Sequence, residues 1–122
     1  MDILVIGKEV EVHDLVIELE LLDNRVVHLN SLTDLISLKE DEIFDVIILE
    51  RELCYQLPRD ELEKIRFLRG RGYKVPVVVF GATIAEESNY REKGYSTIIS
   101  KSHATKEVEE FLTAVLKGEV FP

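Results

Sequence analysis

The chain predicts an α/β fold, a parallel sheet wound with helices on both faces. Three observations carry this reading. Short apolar runs alternate with amphipathic helical stretches along the whole sequence. Residues 3–6, 44–49 and 75–80 are almost continuously apolar rather than alternating, as expected of strands covered on both faces. The prolines and glycines stand at the ends of segments, where they punctuate the pattern instead of interrupting it.

The elements follow in order. Residues 3–6 read as the first strand, and from residue 10 to about 23 Val12, Leu15, Val16, Leu19 and Leu22 recur at helical spacing. Residues 25–30 form a weaker second strand. Leu32, Leu35, Ile36 and Leu38 suggest a short helix with Ser31 or Thr33 as its cap. Residues 44–49 are the third strand. Pro58 then opens a helix through Arg71, with Leu62, Ile65, Phe67 and Leu68 as its apolar positions and Gly72 at its end. Residues 75–80 are the fourth strand. Thr83-Ile84-Ala85-Glu86 is a capping-box sequence for a helix to about Lys93, ended by Gly94. Residues 97–100 are the fifth strand. The last helix, over 105–117, buries Val108, Phe111, Leu112 and Val115 and closes at Gly118.

Five strands alternating with five helices is the flavodoxin-like arrangement, a (βα)5 doubly wound parallel sheet of strand order 2-1-3-4-5. Right-handed crossovers leave little else to choose. The 122 residues form a single domain, 1–122, large enough to bury roughly two-thirds of its unfolded surface.

Composition bounds the partners. With 24 acidic residues against 15 basic ones, the net charge of −9 repels nucleic-acid phosphates and anionic membranes. Basic protein partners remain compatible, although an acidic surface also serves solubility alone. Cys54 is the only cysteine, so no intrachain disulfide or zinc cluster forms, and a reducing, cytoplasmic setting is expected. Met1-Asp2 and the four apolar residues before Gly7 do not read as a signal peptide, and no apolar run approaches a membrane span. There is no GxGxxG and no GxxxxGK[ST], and His13, His28 and His103 share no metal-ligand spacing.

Ligand sites in such sheets lie beyond the carboxyl ends of the strands, where the strand order reverses. Gly7, Lys8 and Glu9 after the first strand therefore face Glu50 at the end of the third, and Gly81-Ala82 and Lys101 complete the rim. The order and spacing of Ile3-Leu4-Val5-Ile6-Gly7-Lys8-Glu9, of Phe44-Asp45-Val46-Ile47-Ile48-Leu49-Glu50, of Pro76-Val77-Val78-Val79-Phe80-Gly81-Ala82 and of Ser96-Thr97-Ile98-Ile99-Ser100-Lys101 resemble the receiver domain of two-component response regulators. The resemblance spans nearly the whole chain.

That resemblance implies phosphoryl transfer at an aspartate, with a Mg²⁺ held by an acidic pair after the first strand and a switch made of a Thr or Ser and an inward-moving aromatic. This chain departs at each part. Glu50 stands at the phospho-acceptor position, one methylene longer than aspartate. Gly7 and Lys8 stand where the acidic pair belongs, leaving Glu9 as the remaining carboxylate. Gly81 replaces the Thr or Ser, and Ile98 the aromatic; Lys101 is retained, but Ser102 follows it where the family commonly has a cis-proline. The segment after Glu50 is also longer before its proline, with Leu53, Tyr55 and Leu57 as its apolar residues. A hard cation needs several oxygen ligands, and a reacting oxygen moved outward by roughly an ångström loses about a hundredfold in rate.

The sequence therefore reads as a pseudo-receiver that has no catalytic residue, metal or cofactor of its own and binds proteins without phosphorylation. The resemblance points to the surface of the fourth helix, fifth strand and fifth helix as the contact face, including for a homodimer. Glu50 serves either as a mimic of the phosphorylated state or as an edge carboxylate bonded to loop amides. Two other functions stay open: an atypical receiver still phosphorylated in a phosphorelay, and a small anion-binding module or enzyme built on Lys8, Glu50 and Lys101.

Overall fold

In the computed structural model of the chain, residues 1–70, 74–82, 84–93, 95, 97–99, 110, 112–114 and 117 are described. The sheet has five parallel strands in the order β2-β1-β3-β4-β5, as the sequence predicts. They are β1 (Asp2–Ile6), β2 (Arg25–Leu29), β3 (Val46–Glu50), β4 (Val77–Phe80) and β5 (Thr97–Ile99). The helices are α1 (Glu9–Leu21), α2 (Arg51–Cys54), α3 (Arg59–Leu68) and α4 (Glu87–Glu92), with 3-10 segments at Leu32–Ser37 and Ile84–Glu86. Glu110 and residues 112–114 are helical, within the last predicted helix.

Alternate strand residues point to opposite faces of the sheet, which divides the core in two. Leu4 and Ile6, Ile47 and Leu49, and Val77 and Val79 face Phe44, Leu62, Tyr90 and Tyr95. Ile3 and Val5, Val46 and Ile48, and Val78 and Phe80 face Val12, Leu15 and Leu19 of α1 together with Leu112. Helices on both faces exclude water from both sets, and this is the physical reason that the central strands read as unbroken apolar runs. No helix among the described residues is long and apolar enough to cross a membrane.

Several boundaries move. Phe44 lies outside β3 but is fully buried, with the Arg25 guanidinium 5.5 Å from its ring centroid. The helix expected from Pro58 to Arg71 is α3 alone; Pro58 is its N-cap and Arg69 its C-cap. Phe67 and Leu68, expected on its apolar face, are exposed, because residues 62 and 65 already define the side turned to the sheet. Lys74 instead lies over the Phe67 ring, 5.0 Å from the centroid. The expected short helix after β2 is the 3-10 segment, and Ser31 is its N-cap residue without a side-chain bond to a helix amide; the Ser31 and Thr33 hydroxyls bond each other at 2.8 Å.

Candidate functional site

The crevice between the ends of β1 and β3 begins at Gly7. Its amide donates to the Leu29 carbonyl at 2.9 Å, and its own carbonyl accepts from His28 Nε2 at 2.6 Å. A carbonyl only accepts, so the proton sits on Nε2. These two bonds tie the end of β1 to β2 and hold Gly7 directly against β3. A Cβ placed on Gly7 would lie 2.7 Å from the Glu50 Cβ and 2.9 Å from Val12 Cγ1. Position 7 has room for hydrogen and for nothing larger.

Glu50 is the one buried charged residue among those described, 6% exposed. It ends β3 and serves as N-cap of α2, its Oε2 accepting from the Glu52 amide at 3.0 Å. A carboxylate satisfies an amide that has no partner within the helix and complements the positive end of the helix dipole. The Glu50 carboxylate is thus bonded to an amide of the first turn of α2. The segment after Glu50, expected as a loop, starts with a helical turn that Glu50 itself caps. Leu53 and Leu57 pack against the core, while Tyr55 stays 61% exposed.

Lys8 and Glu9 open α1. Lys8 is the exposed N-cap residue of α1, its carbonyl accepting from Glu11 at 2.9 Å and Val12 at 3.2 Å. The Glu9 amide donates to Asn30 Oδ1 at 3.2 Å, and its carboxylate lies outside, 4.0 Å from His13 Nδ1. A divalent cation of the Mg²⁺ type needs converging oxygen donors. Here position 7 supplies none, position 8 a cation, and Glu50 a carboxylate already bonded to an amide, so this donor set does not fit the ion. Among the described residues no group of three or more His, Cys, Asp and Glu side chains comes together to hold a metal.

At the other wall, Phe80 pairs with Glu50 in register and Gly81 follows at a φ of 88°. A β-branched threonine is strained in that left-handed region. The missing hydroxyl is therefore a property of the backbone as well as of the side chain. The Ile98 backbone pairs with Val79. Lys101 lies outside the described residues, and with it the expected anion pocket of Lys8, Glu50 and Lys101.

No protein-family model and no curated protein sequence matches the chain. Solved structures do. The receiver domain of a sensor histidine kinase from Pseudomonas aeruginosa, with magnesium coordinated in its active-site cleft, superposes with a TM-score of 0.68 at 18% identity, covering 95% of this chain and 97% of that one. A response regulator receiver protein from Pseudoalteromonas atlantica gives 0.69 at 15% identity, over 97% and 98% of the two chains. An orphan response regulator of H. pylori gives 0.68 at 19%, over 95% and 96%. This chain has the receiver fold.

Within that fold the sequence reading missed a clasp beside the crevice. Glu86 Oε2 accepts from Arg51 Nε at 3.0 Å, from the Tyr55 hydroxyl at 2.9 Å and from the Tyr90 hydroxyl at 3.4 Å. Tyr90 stacks edge-on with Tyr95, centroids 5.8 Å apart, and Tyr95 donates to the Cys54 carbonyl at 3.4 Å. The clasp joins α2, at the end of β3, to the 3-10 turn and α4 that follow β4. Glu86 beside it holds the Arg51 guanidinium above its ordinary range, and burial raises the Tyr90 and Tyr95 hydroxyls. These residues lie far apart in sequence; the only advance signal was the recurrence of tyrosine at positions 55, 90 and 95. Below the clasp a shallow cavity of about 290 Å³ is lined by Tyr55, Leu57, Arg59, Lys93 and Tyr95.

Restoring the family's residues one at a time tests this geometry. Gly7→Asp and Gly81→Thr are each expected to destabilise the fold by about 1–3 kcal/mol, through overpacking and positive-φ strain respectively. The exposed Lys8→Asp stays within about 0.5 kcal/mol of the parent in urea denaturation.

Cys54 offers a pH test. Burial pushes its thiol from 9.0 up to about 12, with the nearby Glu50 charge adding to the rise. A raised folded-state value means stabilisation that is complete below pH 9.0 and lost as pH climbs toward about 12. The native thiol is expected to resist alkylation at mildly alkaline pH and to react at the rate of the unfolded chain once urea is added.

Proposed function

We propose that this chain is a receiver-fold signalling domain that binds protein partners without being phosphorylated. The observation that carries this reading is the state of Glu50: buried, capping α2, and packed so tightly against Gly7 that no second acid fits beside it. A phosphoryl acceptor needs an open carboxylate and a cation to neutralise charge in the transition state, and the described residues here arrange neither. The names of the similar structures, receiver domains of response regulators and of a sensor histidine kinase, support a place in two-component signalling. The chain is then a binding module and not an enzyme, working in the cytoplasm.

The clasp supports the same reading. Helix α4 is fixed to the end of β3 by Arg51, Tyr55, Tyr90 and Glu86, so its position needs no phosphoryl group. The surface of the fourth helix, fifth strand and fifth helix, together with residues 51–57, is the proposed contact face. A switch needs an input that binds its two states differently; with the acceptor tied down, the face is presented constitutively.

Thermal denaturation with and without Mg²⁺ plus beryllofluoride, a mimic of the phosphoryl group, tests the proposal. An unchanged midpoint is expected. A rise of several degrees that disappears in Glu50→Gln would show that the pocket still takes the ion and would restore the phosphorylated-receiver reading.

A further inference from the structure

Helix α1 carries a second apolar stripe that its own fold does not bury. Val12, Leu15 and Leu19 face the sheet. Val10, Ile17 and Leu21 are 83%, 43% and 73% exposed. Seven residues make about two turns and four about one, so these three lie in one line on the side of the helix away from the sheet. With Asp14 between them, positions 10, 14, 17 and 21 repeat at the four-three-four spacing on which a second helix packs its side chains.

The rim of this stripe has one sign of charge. The segment Glu9–Leu21 contains no lysine or arginine. At 100° per residue Glu11 and Glu18 lie along one edge of the stripe, and Glu9 and Glu20, with His13, along the other. We infer that this face docks a basic amphipathic helix of a partner protein, whose apolar seam covers Val10, Ile17 and Leu21 and whose lysines or arginines meet the flanking carboxylates. Asp14 inside the seam selects a partner with a cation at the facing position, a register device of the kind polar seam residues provide.

Charge excludes the other occupants. A second copy would set acidic rim against acidic rim, and like charges brought together across an interface cost affinity. Anionic lipid and nucleic acid are repelled for the same reason, and the net charge of −9 extends that repulsion beyond the helix. The inference is independent of Glu50: it holds whether or not the crevice accepts a phosphoryl group.

The test uses an acetylated synthetic helix with leucine at the seam positions and lysine elsewhere, and a counterpart with glutamate in place of lysine, followed by fluorescence anisotropy. The parent chain is expected to bind the lysine peptide and not the glutamate one. Ile17→Ser with Leu21→Ser keeps every charge, and Asp14→Asn with Glu18→Gln keeps every apolar residue. Each pair is expected to weaken binding by at least about tenfold. Glu40→Gln with Asp41→Asn removes the same charge at another exposed place and should leave affinity within about twofold. Circular dichroism melts check that the variants stay folded, as substitutions at exposed positions should.

The inference fails if the lysine peptide does not bind, if the serine pair binds it as well as the parent does, or if the Glu40–Asp41 control weakens it equally. It also fails if sedimentation finds a dimer of the parent that the serine pair dissolves, since the seam would then belong to a second copy.

Discussion

The contact between Gly7 and Glu50 is the constraint on which the rest of the crevice depends. The end of β1 is pinned to β2 through the Leu29 carbonyl and His28 Nε2, so Gly7 cannot retreat from β3. Glu50 places its Cβ where any side chain at position 7 would go. The crowding at position 7 comes from the Glu50 Cβ and from Val12 Cγ1 and does not depend on the length of the acid. Position 7 carries no side-chain oxygen, and the Glu50 carboxylate accepts from the amide of Glu52. The helical turn Arg51–Cys54 follows from that bond, and the turn in turn sets Arg51 and Tyr55 on Glu86.

The scaffold beneath is indifferent to these changes. Both faces of the sheet are packed, α1 with Leu112 on one and α3 with Tyr90 and Tyr95 on the other. The core ends at the level of Leu49 and Phe80, just below the crevice. A sheet with this much buried apolar surface tolerates substitutions at its rim, because the rim contributes little to what holds the strands together. This is why likeness in fold, at identities of 15–19% to the receivers compared, persists while the residues of the crevice differ from the pattern the resemblance implies.

The architecture was legible because strands buried on both sides announce themselves as apolar runs. The register of Phe44 to Glu50 put the right residue at the end of β3, and Gly7 and Gly81 were recognised as departures. What the sequence did not show were the reasons for those two glycines. One is a van der Waals contact to a residue 43 positions away, and the other a positive φ; neither leaves a local pattern. The turn at Arg51–Cys54 is too short for periodicity and depends on the Glu50 cap. Glu86 read as a capping residue of its own helix, whereas Oε2 binds Arg51 and Tyr55, 35 and 31 residues away. Long-range polar contacts are fixed by tertiary packing, and sequence spacing carries no trace of them. Phe67 and Leu68 failed for a related reason, since four apolar residues around α3 exceed the width of the face it buries.

The most direct test of the account is intact-mass spectrometry after incubation with acetyl phosphate and Mg²⁺. A carboxylate held by the Glu52 amide predicts an unmodified mass under conditions that label an active receiver run in parallel. A single phosphoryl adduct that is lost in Glu50→Gln would contradict it, because the side chain would then have to leave its cap and react.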